Sequence, residues 1–410
     1  MNNNPESLIK SKRPIKGKNS FNRLKNRFFL PHFIKEMKRM GIGGISGGNS
    51  LQLITRGDDF FDAVISAIDS ARKSINLETY IFRSDEVGWI IAEKLAEKAS
   101  QGLEVNVIYD AFGSIAASKI MFDMMRSAGV EIIEYHPIVP WKRYWGISFR
   151  DHRKILIIDG EKAFLGGINI GKEYAGPKYE GGNWRDTHLC IEGPAVRDVQ
   201  FFFMENWYRN GGAVLNSRLY FPHLDKKGNI LLMILCTKGR KKVKPVYESY
   251  ISAIANARSS IYITNAYFIP DGRIYRSLVK AAERGVDVKI ILPGKSDIPV
   301  VKYASRYLYK RYLRHGIKIF EYQESILHAK TAVIDGLWAT VGSSNLDRRS
   351  FRRNLEINAV VLDQMFGQLM EDVFFDDLNK SLEITLKTFE RRSLFEFFLE
   401  WLCYRFRNIL

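Results

Sequence analysis

The stretch FRDHRKILIIDGEKAFLGGIN, residues 149–169, returns in altered form as SILHAKTAVIDGLWATVGSSN, residues 325–345. Both obey one frame, HxK(x4)D(x6)G[GS]xN. The first copy supplies His152, Lys154, Asp159 and Asn169; the second supplies His328, Lys330, Asp335, Ser343 and Asn345. A lone HxK would mean little in a chain with seven histidines. Two complete frames constrain the chain to fold as two similar halves.

A second repeat lies in register with the first. ISAIDSARKSI (65–75) matches ISAIANARSSI (251–261) at eight of eleven positions. Strand-like runs follow, NLETYIF (76–82) and YITNAYFI (262–269), then KLAEKASQGLEVNVIYD (94–110) and SLVKAAERGVDVKIILP (277–293). The last two read as a helix with apolar steps of three and four, a Gly near the C-cap, and a strand. This alternation predicts an α/β fold: two tandem α/β sandwich repeats with much parallel sheet, sharing one active site at their interface. The expected boundaries are a basic arm and flexible link at 1–50, a first domain at 51–215, a linker at 216–245, a second domain at 246–378 and an amphipathic segment at 379–410.

Two copies of a His place one imidazole from each half in a common site. One can attack while the other protonates the leaving group, as a double-displacement phosphoryl transfer requires. His152 is preferred as the nucleophile. Side chains in a strand repeat every second residue, so His152 and Lys154 point together, as do His328 and Lys330. With Asn169, Asn345 and Ser343 they make a donor-rich pocket for a phosphodiester. Asp159 and Asp335, each before a Gly, are read as scaffold that orders a turn. Asp186 and Glu356 head the next strand of each half, and each is expected to hold the His of its own half through the non-reactive ring nitrogen. Lys beside His opposes a metal site, so no metal and no cofactor are expected. His32, His136, His188, His223 and His315 belong to no such cluster and are read as structural or solvent-facing.

The net charge of +17 calls for an anionic partner. Residues 1–40 carry eleven Lys or Arg against Glu6 and Glu36, interleaved with Phe21, Leu24, Phe28, Phe29 and Phe33. That mixture reads as a membrane-surface segment. SLFEFFLEWLCYRFRNIL (393–410) sets Glu396, Glu400 and Arg407 on one helical side and apolar bulk opposite, suiting either a lipid boundary or packing on the core. No apolar run is long enough to predict a spanning helix, and the N-terminus lacks the order of a secretory signal. Scattered Cys190, Cys236 and Cys403 argue for a reducing compartment. The expectation is a peripheral protein on the cytoplasmic side of the cell membrane.

The doubled frame resembles the HKD signature of the phospholipase D superfamily, over roughly residues 50–375. Within it, HRKILIIDGEKAFLGGINIGKEY (152–174), WRDTHLCIEGPAV (184–196), NAYFIPDGRI (265–274), LPGKSDIPVV (292–301), LHAKTAVIDGLWATVGSSNLDRRS (327–350) and NLEINAVVLD (354–363) are most similar to bacterial cardiolipin synthases of the B type. The resemblance implies a phosphohistidine intermediate without metal. It implies transfer of a phosphatidyl group from one phosphatidylglycerol to another, giving cardiolipin and glycerol. The alternatives are a phospholipase D-type hydrolase, with water as acceptor, and a nuclease. Nucleic acid is not expected as a partner, because the charge concentrates in an aromatic-laced arm.

Overall fold

The structure, a computed structural model, describes residues 43–139, 148–215, 217–238 and 244–407. The basic arm at 10–40 lies outside the described residues, as does most of the KKVKP stretch at 241–245.

The first half contributes strands β1 (Ser46–Ile54), β2 (Ser74–Thr79), β3 (Glu104–Asp110), β4 (Glu131–Tyr135), β5 (Ile155–Ile158), β6 (Lys162–Gly166) and β7 (His188–Glu192). The second contributes β8 (Ile230–Lys238), β9 (Ser260–Asn265), β10 (Phe268–Ile269), β11 (Asp287–Pro293), β12 (Lys318–Tyr322), β13 (Lys330–Ile334), β14 (Trp338–Gly342), β15 (Leu346–Asp347), β16 (Leu355–Leu362) and β17 (Ser381–Ile384). Fifteen of them form one sheet in the order β17-β12-β11-β9-β13-β14-β16-β8-β1-β7-β6-β5-β2-β3-β4. From the central β8–β1 pair outward, the two sides carry the same succession of pairings, and β17 adds an edge to one.

The sheet is less parallel than the helix–strand alternation predicts. β2, β3 and β4 pair in parallel, as do β9, β11 and β12. The other pairs are antiparallel. The reason is connection length. Helical crossovers link strands that lie side by side only among the outer ones, while Asp159-Gly160 and Asp335-Gly336 are tight turns that reverse the chain.

Helices α1 (Gly57–Ser70), α2 (Glu86–Ser100) and α3 (Lys119–Ser127) cover the first half. The other long helices are α4 (Val196–Arg209), α5 (Pro245–Asn256), α6 (Gly272–Glu283), α7 (Pro299–Arg306), α8 (Gln364–Asn379) and α9 (Leu394–Arg405). In α1, Phe60, Phe61, Val64, Ala67 and Ile68 are buried, the recurrence of a core-facing stripe. Gly102 and Gly285, just past α2 and α6, take φ of +93° and +88°, a left-handed conformation that stops a helix cleanly. Strand alternation divides the core. Ile155 and Ile157 point into a central core with α4 and α8 residues, shared by both halves. Leu156 and Ile158 point to the first half's own helices.

The structure revises two expected segments and decides between the two readings of a third. The stretch expected as a flexible link before residue 50 enters β1 at Ser46. The expected linker 216–245 contains β8, which runs down the middle of the sheet between β1 and β16. Its sequence, ILLMILCTK, is an apolar run of the kind that buried strands carry. The C-terminal segment is not detached either: β17 pairs with β12, and α9 packs on α7. Glu400 of α9 is fully buried and held by Arg306 and Arg392 at 3.2 and 3.0 Å. Loss of one member of a buried ion pair typically costs about 3–5 kcal/mol, so this clamp dictates which side of α9 faces inward. Among the described residues no helix is long and apolar enough to cross a membrane.

Candidate active site

Each motif begins at a hairpin. Asp159 and Gly160 have φ of +55° and +69°, and Asp335 and Gly336 have +54° and +60°. Glu161 N donates to Ile158 O and Leu337 N to Ile334 O, closing two-residue turns that need both central residues left-handed. The Asp159 carboxylate accepts from the backbone N–H groups of Arg72, Lys73 and Ser74. Asp335 does the same for Arg258, Ser259 and Ser260. Burial opposes a charge on Asp335, but these donors outweigh it and hold the carboxyl below its ordinary range. Both acids tie the β5 and β13 hairpins to the starts of β2 and β9.

The hairpins deliver the histidines to the seam between the halves. There the backbone crosses over: His152 N donates to Leu355 O at 2.9 Å, and His328 N donates to Arg185 O at 2.7 Å. Residue pairs Asp151–Leu355 and Arg185–Leu327 form matching bridges. The start of each half's next strand therefore lies against the other half's motif. This corrects the expected pairing of acid with His. His152 Nδ1 lies 3.0 Å from Glu356 Oε2, and His328 Nδ1 lies 2.6 Å from Asp186 Oδ2. Each His takes its carboxylate from the opposite half. His152 Nδ1 also meets the Ser343 carbonyl at 3.2 Å. A carbonyl only accepts, so Nδ1 carries the proton and Nε2 is the nitrogen left for chemistry.

His152, Lys154, His328 and Lys330 are all buried. Lys154 Nζ donates to the carbonyl of His152 at 2.7 Å, and Lys330 Nζ donates to that of His328. Burial pulls Lys154 down to about 7 and Lys330 to about 8, against the attraction of nearby carboxylates. Burial, with Lys154, Lys330 and His328 close by, pushes His152 well below its ordinary value. His328 is lowered too, by burial and Lys330, but the Asp186 carboxylate opposes the shift. Burial would raise Asp186; Lys330 and His328 outweigh it and keep it ionised. Burial lifts Glu356 to about 7. The lysines are cations below these values and neutral above them. Hence kcat/KM on a soluble phosphodiester whose leaving group departs without a proton should fall on the alkaline side with an inflection between about 7 and 8. The acid limb should lie below pH 6.5, where His152 begins to gain a proton. A flat profile from pH 6 to 9 would contradict this arrangement.

The remaining predicted residues divide. Asn169 donates through Nδ2 to Tyr174 Oη at 2.7 Å and accepts from Ile81 N at 3.1 Å, leaving one amide hydrogen. Asn345 is buried, and its Oδ1 finds no partner among the described residues. Ser343 is not a free phosphate donor, as expected from sequence. Its hydroxyl hydrogen goes to Glu356 Oε2 at 2.5 Å, and its oxygen accepts from Ile357 N at 3.0 Å. It positions the acid that holds His152. The matching residue of the first motif is Gly167, where a Cβ would lie 2.1 Å from Asp186 Oδ1. The bare backbone makes room for that carboxylate. Gly167→Ser should therefore displace Asp186 from His328 and lower kcat roughly 100-fold, the typical penalty of a misplacement near 1 Å. Steady-state kinetics beside a thermal melt checks this; unchanged kcat would refute the close packing.

Sequence reasoning missed the aromatic wall. The Tyr80 ring lies 4.9 Å from His152, with Lys154 Nζ 5.2 Å from its centre. Tyr174, Trp184 and Tyr267 lie 5.3, 5.9 and 6.3 Å from His328. Asp110 and Arg150 were missed as well; they form a buried pair at 3.2 Å, and Asp110 accepts from Asp151 N beside His152. The signal available was position: Tyr80 and Tyr267 follow β2 and β9, and Trp184 stands two residues before Asp186. His188, read as structural, is buried, accepts from Ile168 N, and is pushed by burial to about 3. Among the described residues no three His, Cys, Asp or Glu side chains are grouped to hold a metal.

A profile of the family described as "Cardiolipin synthase, PLD-like domain" matches the chain twice, over residues 64–184 and 250–378. The chain belongs to the cardiolipin synthase family of the phospholipase D superfamily. Its relatives include a cardiolipin synthase of Geobacillus sp. (strain WCH70), 38% identical over 361 residues that make up 87% of this chain and 71% of that protein. Cardiolipin synthase 2 of Bacillus anthracis is 37% identical over 359 residues, 87% of this chain and 70% of that one. Among solved structures, the phosphatidylserine synthase of Haemophilus influenzae Rd KW20 shares the fold, with a TM-score of 0.70 at 14% identity over 88% of this chain and 95% of that one. The family's two HKD segments are those whose histidines meet carboxylates across the seam.

Proposed function

We propose that the two halves form one active site, which transfers a phosphatidyl group between two phosphatidylglycerol molecules to make cardiolipin and glycerol. The observation that carries this reading is the pair of crossed contacts, His152 with Glu356 and His328 with Asp186. In the first step His152 Nε2 attacks phosphorus. The bond to glycerol breaks, and the departing oxygen takes a proton from the His328 imidazolium. In the second step a hydroxyl of the second phosphatidylglycerol gives its proton to His328 and attacks the phosphohistidine. Cardiolipin leaves and His152 is restored. The roles follow from the environments. A nucleophile must be neutral, and burial with Lys154, Lys330 and His328 nearby pushes His152 well below its ordinary value, away from the cationic form. A general acid must carry a proton, and the close Asp186 carboxylate favours that state of His328. Lys154, Lys330 and the Asn169 amide hydrogen are placed to neutralise the phosphoryl oxygens in both steps. We propose that the protein works peripherally at an anionic membrane surface, on the cytoplasmic side, a reading supported by the proposed substrate and the net charge of +17.

The test is incubation of the purified protein with phosphatidylglycerol vesicles, products being resolved by mass. Cardiolipin and glycerol are expected. Phosphatidic acid alone would replace transfer by hydrolysis. Turnover should survive EDTA, because the site puts ammonium groups beside the imidazoles; a strict metal requirement would overturn the two-histidine mechanism.

A further inference from the structure

α9 buries the acid Glu400 and exposes most of its large apolar side chains. In a helix on a soluble protein the polar side faces water. Here Glu400 is sealed inward by Arg306 and Arg392, and Arg306 also binds Glu321 at 2.6 Å. Tyr404 stacks on Tyr307 of the body at 4.6 Å. The apolar side is turned out: Leu394 is 88% exposed and Phe395 68%, with Phe398, Trp401, Leu402 and Phe406 following at helical steps. Exposed Arg391 and Arg405 lie toward the two ends of this stripe.

The stripe is tied to the active-site wall. α9 packs on α7, whose eight residues span ~12 Å. Immediately before α7, Asp297 accepts a hydrogen bond from Tyr267 Oη at 2.5 Å, and the Tyr267 ring is the one beside His328. Ile298 and Val300 between them are each 43% exposed. Apolar side chains are therefore exposed at both ends of α7: on α9, which meets Arg306 and Tyr307, and at Ile298 and Val300 next to the wall of the site.

We infer that this surface, the outward stripe of α9 with Ile298 and Val300, docks into the boundary of an anionic phospholipid bilayer and brings the active site against it. The occupant is set by chemistry. Large apolar and aromatic side chains flanked by arginines suit the level where acyl chains meet anionic headgroups. The inward Glu400 keeps the helix's buried acid away from that surface. The inference rests on the reading that the substrate is a membrane lipid.

Flotation of the full chain with phosphatidylglycerol–phosphatidylcholine vesicles tests it, at low and at high salt. The double variant Phe398→Asp, Leu402→Asp should lose at least about tenfold of the salt-resistant bound fraction, which reports apolar insertion rather than charge. Turnover of a short-chain phosphatidylglycerol kept below its aggregation limit should be unchanged, showing that the fold and site survive. Independently of that variant, a polarity-sensitive dye on Phe395→Cys should shift to the blue when vesicles are added. Undiminished flotation of the double variant at high salt, or an unshifted dye, overturns the proposal. So does a lipid-free dimer that the double variant dissociates, since a second copy would then cover the stripe. Binding is read without turnover. A protein that floats through α9 yet makes phosphatidic acid overturns phosphatidyl transfer and leaves the docking surface standing.

Discussion

His152→Ala and His328→Ala should each lower turnover of phosphatidylglycerol by roughly 10⁴-fold or more, and the double variant should fall little further. Members of one catalytic unit are strongly non-additive, because the first loss already disables the step the others serve. The proposed roles separate with a p-nitrophenyl phosphodiester, whose leaving group departs without a proton. On that substrate His328→Ala should still release one equivalent of p-nitrophenol and then stall as a phosphohistidine at His152. His152→Ala should release none. Release by His152→Ala and not by His328→Ala would exchange the two roles, and near-normal turnover by either on phosphatidylglycerol would end the two-histidine mechanism.

The second large effect is expected at Asp186. Asp186→Asn keeps the shape but removes the charge that favours protonated His328, and can present an N–H where an acceptor is needed. An analogous change in a serine protease triad costs about 10⁴-fold, and a loss of ~10³ to 10⁴ is expected here. The change should also be readable without catalysis. By NMR titration, Asp186→Asn should lower the pKa of His328 and leave that of His152 nearly in place, whereas Glu356→Gln should act on His152. The opposite pattern would mean that each acid serves its own half, contrary to the 2.6 Å and 3.0 Å contacts.

That crossing marks where sequence reading stops. The frame HxK(x4)D names His152, Lys154, His328 and Lys330 because hairpin register and strand alternation are local, and local geometry is written in spacing. The same holds for Asp159 and Asp335, whose turn position is announced by the Gly that follows. Asp186 and Glu356 are legible as a matched pair of strand-leading acids. Which His each one meets is not, since it depends on the start of β7 and the start of β16 crossing the seam. Ser343 misleads for a related reason: a hydroxyl next to the motif looks available until Glu356, thirteen residues on, takes its proton. β8 is not legible as part of a repeat. ILLMILCTK has no close likeness to SGGNSLQLI of β1, although both strands occupy corresponding places beside the seam. The aromatic wall was hidden because a Tyr at a strand end serves equally well as core, and nothing in its spacing separates the two uses.

The crossed contacts have a consequence for the chain as it is made. A ribosome delivers the first half before the second. When residues up to about 300 have emerged, the nascent chain holds His152 without Glu356, and Asp186 without His328. Neither catalytic dyad exists at that point, however well the first half has folded. Both contacts become possible only when β13 and β16 take their places. A chain cut short before β13 contains half of each dyad, His152 and Asp186.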